Sequence, residues 1–276
     1  MKMTAGLLKK AILGLFQHAK QKAWFLRCFI FQAHKPCLEN GGASLHRTQA
    51  AEKQPAMPCV ILISGRGSNL QAIVQEVVAG RLPLKIRAVI SNRPEASGLE
   101  LARRAGLVTQ VLDHTQFSDR ESYDAALLAL IDSYQPRLVI LAGFMRILTA
   151  RFVQHYRGRL LNIHPSLLPD FPGLDTHRRA LAAAVAEHGA SVHFVTEAVD
   201  TGPVILQARV PVLLQDNAET LAARVLAEEH RIYPQVLRWF AAGRLSLARH
   251  NGRDCAVLDD EPLELSEHSP PGDVKG

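Results

Sequence analysis

The sequence of 276 residues contains only four cysteines, Cys28, Cys37, Cys59 and Cys255, and none of them forms a CxxC pair. This spacing supports neither a disulfide framework nor a zinc knuckle, so we expect free thiols in a reducing cytoplasm. The sequence also lacks an apolar run of about 18 residues, the length that a membrane-spanning helix requires. We therefore expect neither a disulfide-rich secreted protein nor a membrane-embedded one.

The main body of the sequence lacks the basic charge that its net charge of +6 first suggests. Residues 1–56 hold nine lysines and arginines against two acidic residues, whereas residues 57–276 hold 23 basic and 24 acidic residues. A nucleic-acid-binding domain needs a basic face, so we expect no nucleic-acid partner and no membrane partner for the main body. We interpret 1–56 as a basic extension that is either poorly ordered or upstream of the true start at Met57. The basic helical pattern over 7–31 leaves membrane-surface binding or organelle targeting open.

Short apolar runs alternate with helical periods from Cys59 onward, which predicts an α/β fold. The run CVILI over 59–63 is continuously apolar, as in a strand that is covered on both faces. We expect an open, mostly parallel twisted sheet with helices on both faces. Further strands are predicted at 84–91, 107–112, 138–143, 160–163, 191–195 and 203–212. Helices are predicted from 68, over 97–105, from 118, over 176–187 and from 217 to 242.

Three local signals refine this pattern. Capping boxes from Ser68 to Gln71 and from Ser118 to Glu121 predict two helix starts. Pro234 is expected to bend or break the last helix. The segment 251–276 is acidic and contains prolines, so we expect a disordered tail after a domain at 57–250.

The stretch SGRGSN over 64–69 joins the first strand to the first helix, where backbone N–H groups can bind an anion. It lacks the third glycine of the dinucleotide fingerprint, because position 70 is Leu70, and the second strand ends in Ser91-Asn92-Arg93 without the expected acidic residue. A Walker lysine is also missing. These absences favour a single phosphate over a pyrophosphate. The alternative is that the two glycines only provide permissive backbone angles.

Asn162 and His164 stand at the end of a predicted strand, where an open α/β sheet binds its ligands. An amide and an imidazolium both donate hydrogen bonds, so together they can stabilise the oxyanion of a tetrahedral intermediate. Asp200, in a glycine-containing loop between two later strands, can orient the imidazole and favour its charged form. The sequence has no GxSxG elbow and no HExxH pair, so we expect neither a serine nucleophile nor a metal.

Several motifs together resemble glycinamide ribonucleotide formyltransferase of purine biosynthesis, a folate-dependent enzyme. The resemblance covers about 57–250 and depends on the combination of segments. They are ISGRGSNLQAI (63–73), LAGFMRIL (141–148), LLNIHPSLLPDFPG (160–173), GASVHFVTEAVDTGPVILQ (189–207) and EEHRIYP (228–234).

The resemblance implies a Rossmann-like formyltransferase fold and transfer of a formyl group from 10-formyltetrahydrofolate to the amine of glycinamide ribonucleotide. It implies two small-molecule partners, a phosphorylated ribose amine and a reduced folate, and no metal. It also implies roles for matched residues. Catalysis would fall to Asn162, His164 and Asp200. The ribonucleotide would be bound by Gly67, Ser68, Asn69, Leu226, Ala227, Glu228 and Glu229. The folate would be bound by Arg120, Met145, Arg146, Ile147, Leu148, Asn162, Thr196, Glu197, Ala198, Val199 and Asp200.

Three alternatives compete with this interpretation. Formyltetrahydrofolate hydrolases share the Asn, His and Asp arrangement, but carry an N-terminal regulatory domain and a histidine in place of Pro165. Methionyl-tRNA formyltransferases carry a nucleic-acid-binding domain after the catalytic one, whereas here only a short acidic tail follows. A noncatalytic binder of a phosphorylated metabolite would need the glycine loop alone. The sequence contains no signal for an oligomeric state.

Overall fold

The computed structural model describes residues 55–250 and 252–263. Within them, seven strands form one sheet with the order β3-β2-β1-β4-β5-β6-β7. The strands of this sheet are β1 (Met57–Ile63), β2 (Leu84–Ser91), β3 (Thr109–Val111), β4 (Leu138–Leu141), β5 (Leu160–His164), β6 (Glu187–Phe194) and β7 (Val204–Pro211). The helices are α1 (Ser68–Val78), α2 (Gly98–Arg104), α3 (Arg120–Ser133), α4 (Ala150–His155), α5 (Thr176–Ala182) and α6 (Ala218–Ala241).

Strands β1 to β5 pair in parallel, and β6 and β7 continue the sheet in antiparallel pairs. The parallel strands place their carboxyl ends at one edge, where the loops after β1, β4 and β5 come together. β6 runs antiparallel and ends beside Leu161, yet the loop that follows it brings Asp200 to within 3.4 Å of His164 at the end of β5. The predicted fold class is confirmed.

The core lies on both faces of this sheet. In β1, Cys59, Ile61 and Ile63 pack with α1, α2, α5 and α6, whereas Val60 and Leu62 pack on the opposite face with α3 and α4. All five side chains are fully buried, which matches the continuous apolar run of the sequence. The sheet therefore acts as a rigid platform for the loops at its carboxyl edge.

The expectation of a disordered tail from 251 is wrong for residues 252–263. A second, antiparallel sheet contains β8 (Leu245–His250), β9 (Arg253–Leu258) and β10 (Glu261–Pro262). Leu245 and Ala256 are buried in the main core. Ala256 is buried and Leu258 and Leu263 pack against the core, and this burial outweighs the polar composition of the segment. Residues 1–54 and 264–276, with the predictions made for them, lie outside the described part of the chain.

Local signals were less accurate than the overall pattern. α6 continues through Pro234, because Tyr233, Val236 and other buried neighbours hold the helix against the sheet. Neither predicted capping box forms: α1 follows Gly67 without a side-chain cap, and Asp119 caps α3. The predicted helix over 176–187 ends at Ala182, and β6 begins at Glu187. Among the described residues, none of the helices has the length and apolar character needed to cross a membrane.

Candidate active site

His164 is held between two hydrogen-bond acceptors at the end of β5. Its Nδ1 lies 3.4 Å from Oδ2 of Asp200, and its Nε2 lies 3.0 Å from the carbonyl oxygen of Phe171. A carboxylate and a carbonyl can only accept, so this arrangement suits an imidazolium with both nitrogens protonated. The side chain is 7% exposed, so the pair is largely shielded from bulk water. The structure thus brings two of the predicted catalytic residues together.

The carboxylate of Asp200 is held by a backbone N–H, and the loop that carries it has an unusual backbone conformation. Its Oδ2 accepts a hydrogen bond of 2.9 Å from the N–H of Gly173, in the loop after β5. Asp200 itself adopts a left-handed conformation with φ 52°, which is uncommon for a residue other than glycine. Two residues later, a Cβ on Gly202 would lie 1.8 Å from the carbonyl oxygen of Phe194, so only glycine fits there. Strain of this kind is typical of functional loops.

Asn162 is oriented by a histidine on the neighbouring strand. Asn162 and His193 face each other across β5 and β6, and the amide Nδ2 of Asn162 lies 3.1 Å from Nε2 of His193. Nδ1 of His193 donates to the carbonyl oxygen of Phe194 at 3.0 Å, so its Nε2 is free to accept from the amide. Burial lowers the pKa of His193, which keeps the ring neutral. Its Nε2 also lies 3.7 Å from Oδ1 of Asp200, so all four side chains form one cluster.

A cavity of about 600 Å³ opens beside this cluster. Apolar side chains form much of its wall, and polar groups converge at one end, as in many small-molecule sites. Ten of the eleven residues predicted to bind folate line it. They are Met145, Arg146, Ile147, Leu148, Asn162, Thr196, Glu197, Ala198, Val199 and Asp200. Arg120 is not among the lining residues; its guanidinium lies 3.9 Å from the carboxylate of Glu121 on α3.

The glycine turn before α1 presents backbone N–H groups at a helix N-terminus. Gly67 has φ 77°, and a Cβ on it would lie 2.8 Å from Cα of Gly98, so the turn requires glycine for its conformation and for its packing. No described side chain caps the helix at this point. The first N–H groups of α1 are therefore suited to an anion.

Asn69 connects this turn to α6. Its Nδ2 donates a hydrogen bond of 2.6 Å to Oε2 of Glu229, and both side chains are buried. Burial raises the pKa of the Glu229 carboxyl, although the hydrogen bond from Asn69 opposes this shift. Oδ1 of Asn69 is buried and has no hydrogen-bond partner among the described residues, so it is available to a donor on a ligand.

The other ribonucleotide residues predicted on α6 differ in their exposure. Leu226 and Glu228 are half-buried and Ala227 is exposed. The carboxylate of Glu228 forms an ion pair of 2.6 Å with Arg231, one helical turn away. Of the four predicted residues on this helix, the structure thus joins only Glu229 to the glycine turn by a hydrogen bond.

Two further histidines lie beside the site. The rings of His177 and His188 meet edge to face with centroids 5.2 Å apart. Burial lowers the pKa of both, that of His188 to about 4, so His188 is neutral near pH 7. Within residues 55–250 and 252–263, no cluster of histidine, cysteine and acidic side chains is arranged to hold a metal ion.

His193 is the site residue that sequence reasoning missed. Its position in a half-buried strand favours a structural histidine, yet its ring contacts Asn162 directly. This contact follows from the antiparallel register of β6 on β5, which places position 193 opposite position 162. A sequence does not specify that register without knowledge of the loop between the strands.

Comparisons with known proteins agree with this geometry. Residues 57–237 match the family described as formyl transferase. The chain is 56% identical over 207 residues to the phosphoribosylglycinamide formyltransferase of Escherichia coli K12, an alignment that covers 75% of this chain and 96% of that protein. It is 46% identical over 209 residues to the Haemophilus influenzae protein of the same name, with 76% and 97% covered.

Solved structures give the same result. The phosphoribosylglycinamide formyltransferase of Coxiella burnetii superposes with a TM-score of 0.71 at 52% identity, and the match covers 78% of this chain and 99% of that one. Glycinamide ribonucleotide transformylase 1 of Symbiobacterium toebii gives a TM-score of 0.70 at 47% identity, with 75% and 96% covered. The chain therefore belongs to the formyl transferase family, within the group of phosphoribosylglycinamide formyltransferases.

Proposed function

We propose that this enzyme transfers a formyl group from 10-formyltetrahydrofolate to the amine of glycinamide ribonucleotide, in purine biosynthesis. The observation that supports the proposal best is the cluster of Asn162, His164, His193 and Asp200 at the end of a cavity of about 600 Å³. This cluster combines hydrogen-bond donors with a fixed carboxylate, which suits acyl transfer without a covalent enzyme intermediate.

The first step is attack of the substrate amine on the formyl carbon. A carbon–nitrogen bond forms, and the formyl oxygen becomes an oxyanion. In the proposed mechanism Nε2–H of His164 and an amide N–H of Asn162 donate to this oxygen. His193 accepts from the other amide hydrogen of Asn162 and so fixes the direction of the amide. Removal of one such donor in an enzyme typically costs about 10²-fold to 10³-fold in rate.

The second step is collapse of the tetrahedral intermediate. The bond between the formyl carbon and the folate nitrogen breaks, and that nitrogen takes a proton. His164 is the proposed proton donor, because its two ring nitrogens face the Asp200 carboxylate and a backbone carbonyl, both of them acceptors, and its side chain is largely shielded from bulk water. The nitrogen of the former amine, which became positively charged on attack, releases one proton to solvent, and His164 regains one proton from solvent, so the net reaction releases tetrahydrofolate and formylated ribonucleotide.

The two substrates would occupy adjoining parts of the carboxyl edge. The glycine turn of Gly67, Ser68 and Asn69 is proposed to bind the ribonucleotide phosphate through its N–H groups. Glu229 and the unpaired Oδ1 of Asn69 can accept hydrogen bonds from ribose hydroxyls. The flat pterin is proposed to lie in the cavity between the segments 145–148 and 196–200.

The deciding assay measures release of tetrahydrofolate from 10-formyltetrahydrofolate, with and without glycinamide ribonucleotide. We expect release only when the ribonucleotide is present, and formyl label on its amine. Release without the ribonucleotide would instead identify a hydrolase.

A His164→Ala variant supplies the matched negative control. We expect it to lose transfer while it keeps its thermal unfolding temperature and binds both substrates. A variant that turns over at the wild-type rate would rule out the proposed mechanism, even if the assay confirms the reaction.

A further inference from the structure

The hydroxyl of Ser64 joins three strand ends at the carboxyl edge of the sheet. Ser64 follows β1 and is 6% exposed. Its Oγ donates a hydrogen bond of 2.6 Å to Oδ1 of Asn92, which follows β2. The same oxygen accepts a hydrogen bond of 2.8 Å from the backbone N–H of Met145, in the loop after β4. The backbone N–H of Ser64 donates to the carbonyl oxygen of Gly143 at 3.0 Å.

These bonds connect the two proposed substrate sites. Ser64 directly precedes the glycine turn, which the carbonyl of Gly65 further ties to the N–H of Gly98 at 3.0 Å. Met145 begins the segment 145–148, which lines the cavity. Ser64 thus links the glycine turn to the cavity wall twice, through its hydroxyl to Met145 and through its backbone N–H to Gly143, and only the first link depends on the side chain. Both Ser64 and Asn92 are shielded from water, so no solvent molecule can easily take over these bonds.

The other end of the cavity segment is anchored separately. Oδ2 of Asp124, on α3, accepts a hydrogen bond of 2.6 Å from the N–H of Thr149. Asp124 is 2% exposed. This second anchor holds the segment to α3 and makes no contact with the glycine turn that the structure records. Ser64 and Asp124 thus provide two anchors of which only Ser64 reaches both sites.

We propose that Ser64 is a positioning residue that couples binding of the ribonucleotide to binding of the folate. The inference rests on the proposed function, because it assigns the glycine turn and the cavity to those two ligands. Bound phosphate fixes the glycine turn, and the Ser64 hydroxyl then holds the Met145 backbone in place for the folate. Coupling of this kind is reciprocal, so folate also tightens binding of the ribonucleotide.

The test uses tetrahydrofolate, which has no formyl group, so no turnover occurs while binding is measured. Calorimetric titration of the full chain gives its affinity with and without saturating glycinamide ribonucleotide. For the wild type we expect the ribonucleotide to raise the affinity by about 5-fold or more. For Ser64→Ala, which keeps the backbone bond to Gly143 but loses the bonds of the hydroxyl, we expect this factor to fall well below the wild-type value. Ser64→Cys replaces the hydroxyl by a somewhat larger thiol that forms only weak hydrogen bonds, so its factor should also fall.

Ser91→Ala is the matched control. Ser91 is a fully buried serine at the end of β2, and within the described part of the chain its hydroxyl bonds only to the backbone of Arg93. We expect it to keep the wild-type coupling factor. Asp124→Ala should weaken tetrahydrofolate binding on its own and leave the coupling factor unchanged.

The outcomes separate this inference from the proposed function. A wild-type protein that binds both ligands without coupling, or a Ser64→Ala variant with the wild-type factor, would overturn the role of Ser64 only. A Ser91→Ala variant that loses the factor equally would overturn it as well. A wild-type protein that binds neither ligand would overturn both.

Discussion

At the scale of single residues, we predict that the proposed catalysis by His164 depends on the charge of Asp200 more than on the shape of its side chain. Asp200→Asn keeps an acceptor for the N–H of Gly173 but removes the anion that faces Nδ1. We expect kcat to fall by about 10²-fold or more, because general acid catalysis of this type contributes about 10²-fold to 10⁴-fold. Initial rates of formyl transfer across a range of pH check this, together with Asp260→Asn in an exposed turn as the control. A variant at position 200 with wild-type kcat would contradict the proposal.

The proximity of the three predicted catalytic residues could be predicted from the sequence, because strand ends of an open α/β sheet meet at one edge. Asn162 and His164 stand at such an end, and the glycine-containing loop brings Asp200 to it. The contacts of His193 and Ser64 with this site could not be predicted in the same way. Their contacts depend on the strand register and on backbone atoms of a distant loop, which residue types do not reveal.

At the scale of elements, the loop between β6 and β7 depends on Gly202. Gly202→Ala would place a Cβ against the carbonyl oxygen of Phe194, so the loop that carries Asp200 has to move. We expect a loss of unfolding free energy of more than about 2 kcal/mol and a clear loss of activity. Gly243→Ala is the control. Gly243 has φ 72°, but a Cβ on it would meet open space. We therefore expect a loss of about 1 kcal/mol of unfolding free energy and an unchanged activity. Urea unfolding and initial rates measure both effects, and equal effects in the two variants would contradict this account.

Strand β6 also carries a pH-dependent contribution to stability. Burial lowers the pKa of His188 from 6.5 to about 4 in the folded protein. Between these values the unfolded chain binds a proton at position 188 and the folded chain does not, so stability decreases as the pH falls through this window. We expect His188 to account for about 2 kcal/mol of the difference in unfolding free energy between about pH 7.5 and pH 5.

The measurement compares His188→Phe with the wild type by urea unfolding at both pH values. The phenylalanine keeps an aromatic ring beside Phe171 and His177 but cannot bind a proton. The pH-dependent difference should shrink in this variant, whereas His250→Phe at the exposed end of β8 should leave it unchanged. An undiminished difference in His188→Phe would rule out the assignment.

Element types were predictable from periodicity, but their ends depended on tertiary contacts. The apolar face of α6 indicated a long helix, and burial of that face carried the helix through Pro234. The predicted start of α1 at residue 68 is right, but the predicted capping box is absent, because the chain enters the helix through a left-handed glycine, Gly67, without a side-chain cap. Such a start leaves the N–H groups open, which is the property that an anion site needs.

At the scale of the whole molecule, the C-terminal sheet is part of the fold. A chain that ends after Arg244 would lose Leu245 and Ala256 from the core, together with the ion pair between Arg244 and Asp259. We expect a loss of roughly 3 kcal/mol or more in unfolding free energy, measured by urea denaturation. A chain that ends at residue 263 keeps all described elements and serves as the control. Equal stability of the two shortened chains would contradict this expectation.

The N-terminal extension is proposed to be dispensable. Met57 begins β1 and its N–H donates to the carbonyl of Pro83, so the described fold starts at this point of the chain. A 57–276 fragment should therefore transfer formyl groups at the rate of the full chain. An inactive but folded fragment would assign a role to residues 1–56. The fold class was predictable over this body, whereas the small C-terminal sheet was hidden by its acidic composition.

The hydrogen bond from His164 to the carbonyl of Phe171 has a consequence for inhibitors. The N–H that the mechanism assigns to the formyl oxygen is already taken by the protein's own backbone, so a ligand must compete for it. An inhibitor oxygen at that point gains only the difference in free energy between its own hydrogen bond to His164 and the bond from His164 to Phe171 that it replaces. Compounds that leave this internal bond intact and fill the apolar part of the cavity avoid that exchange altogether.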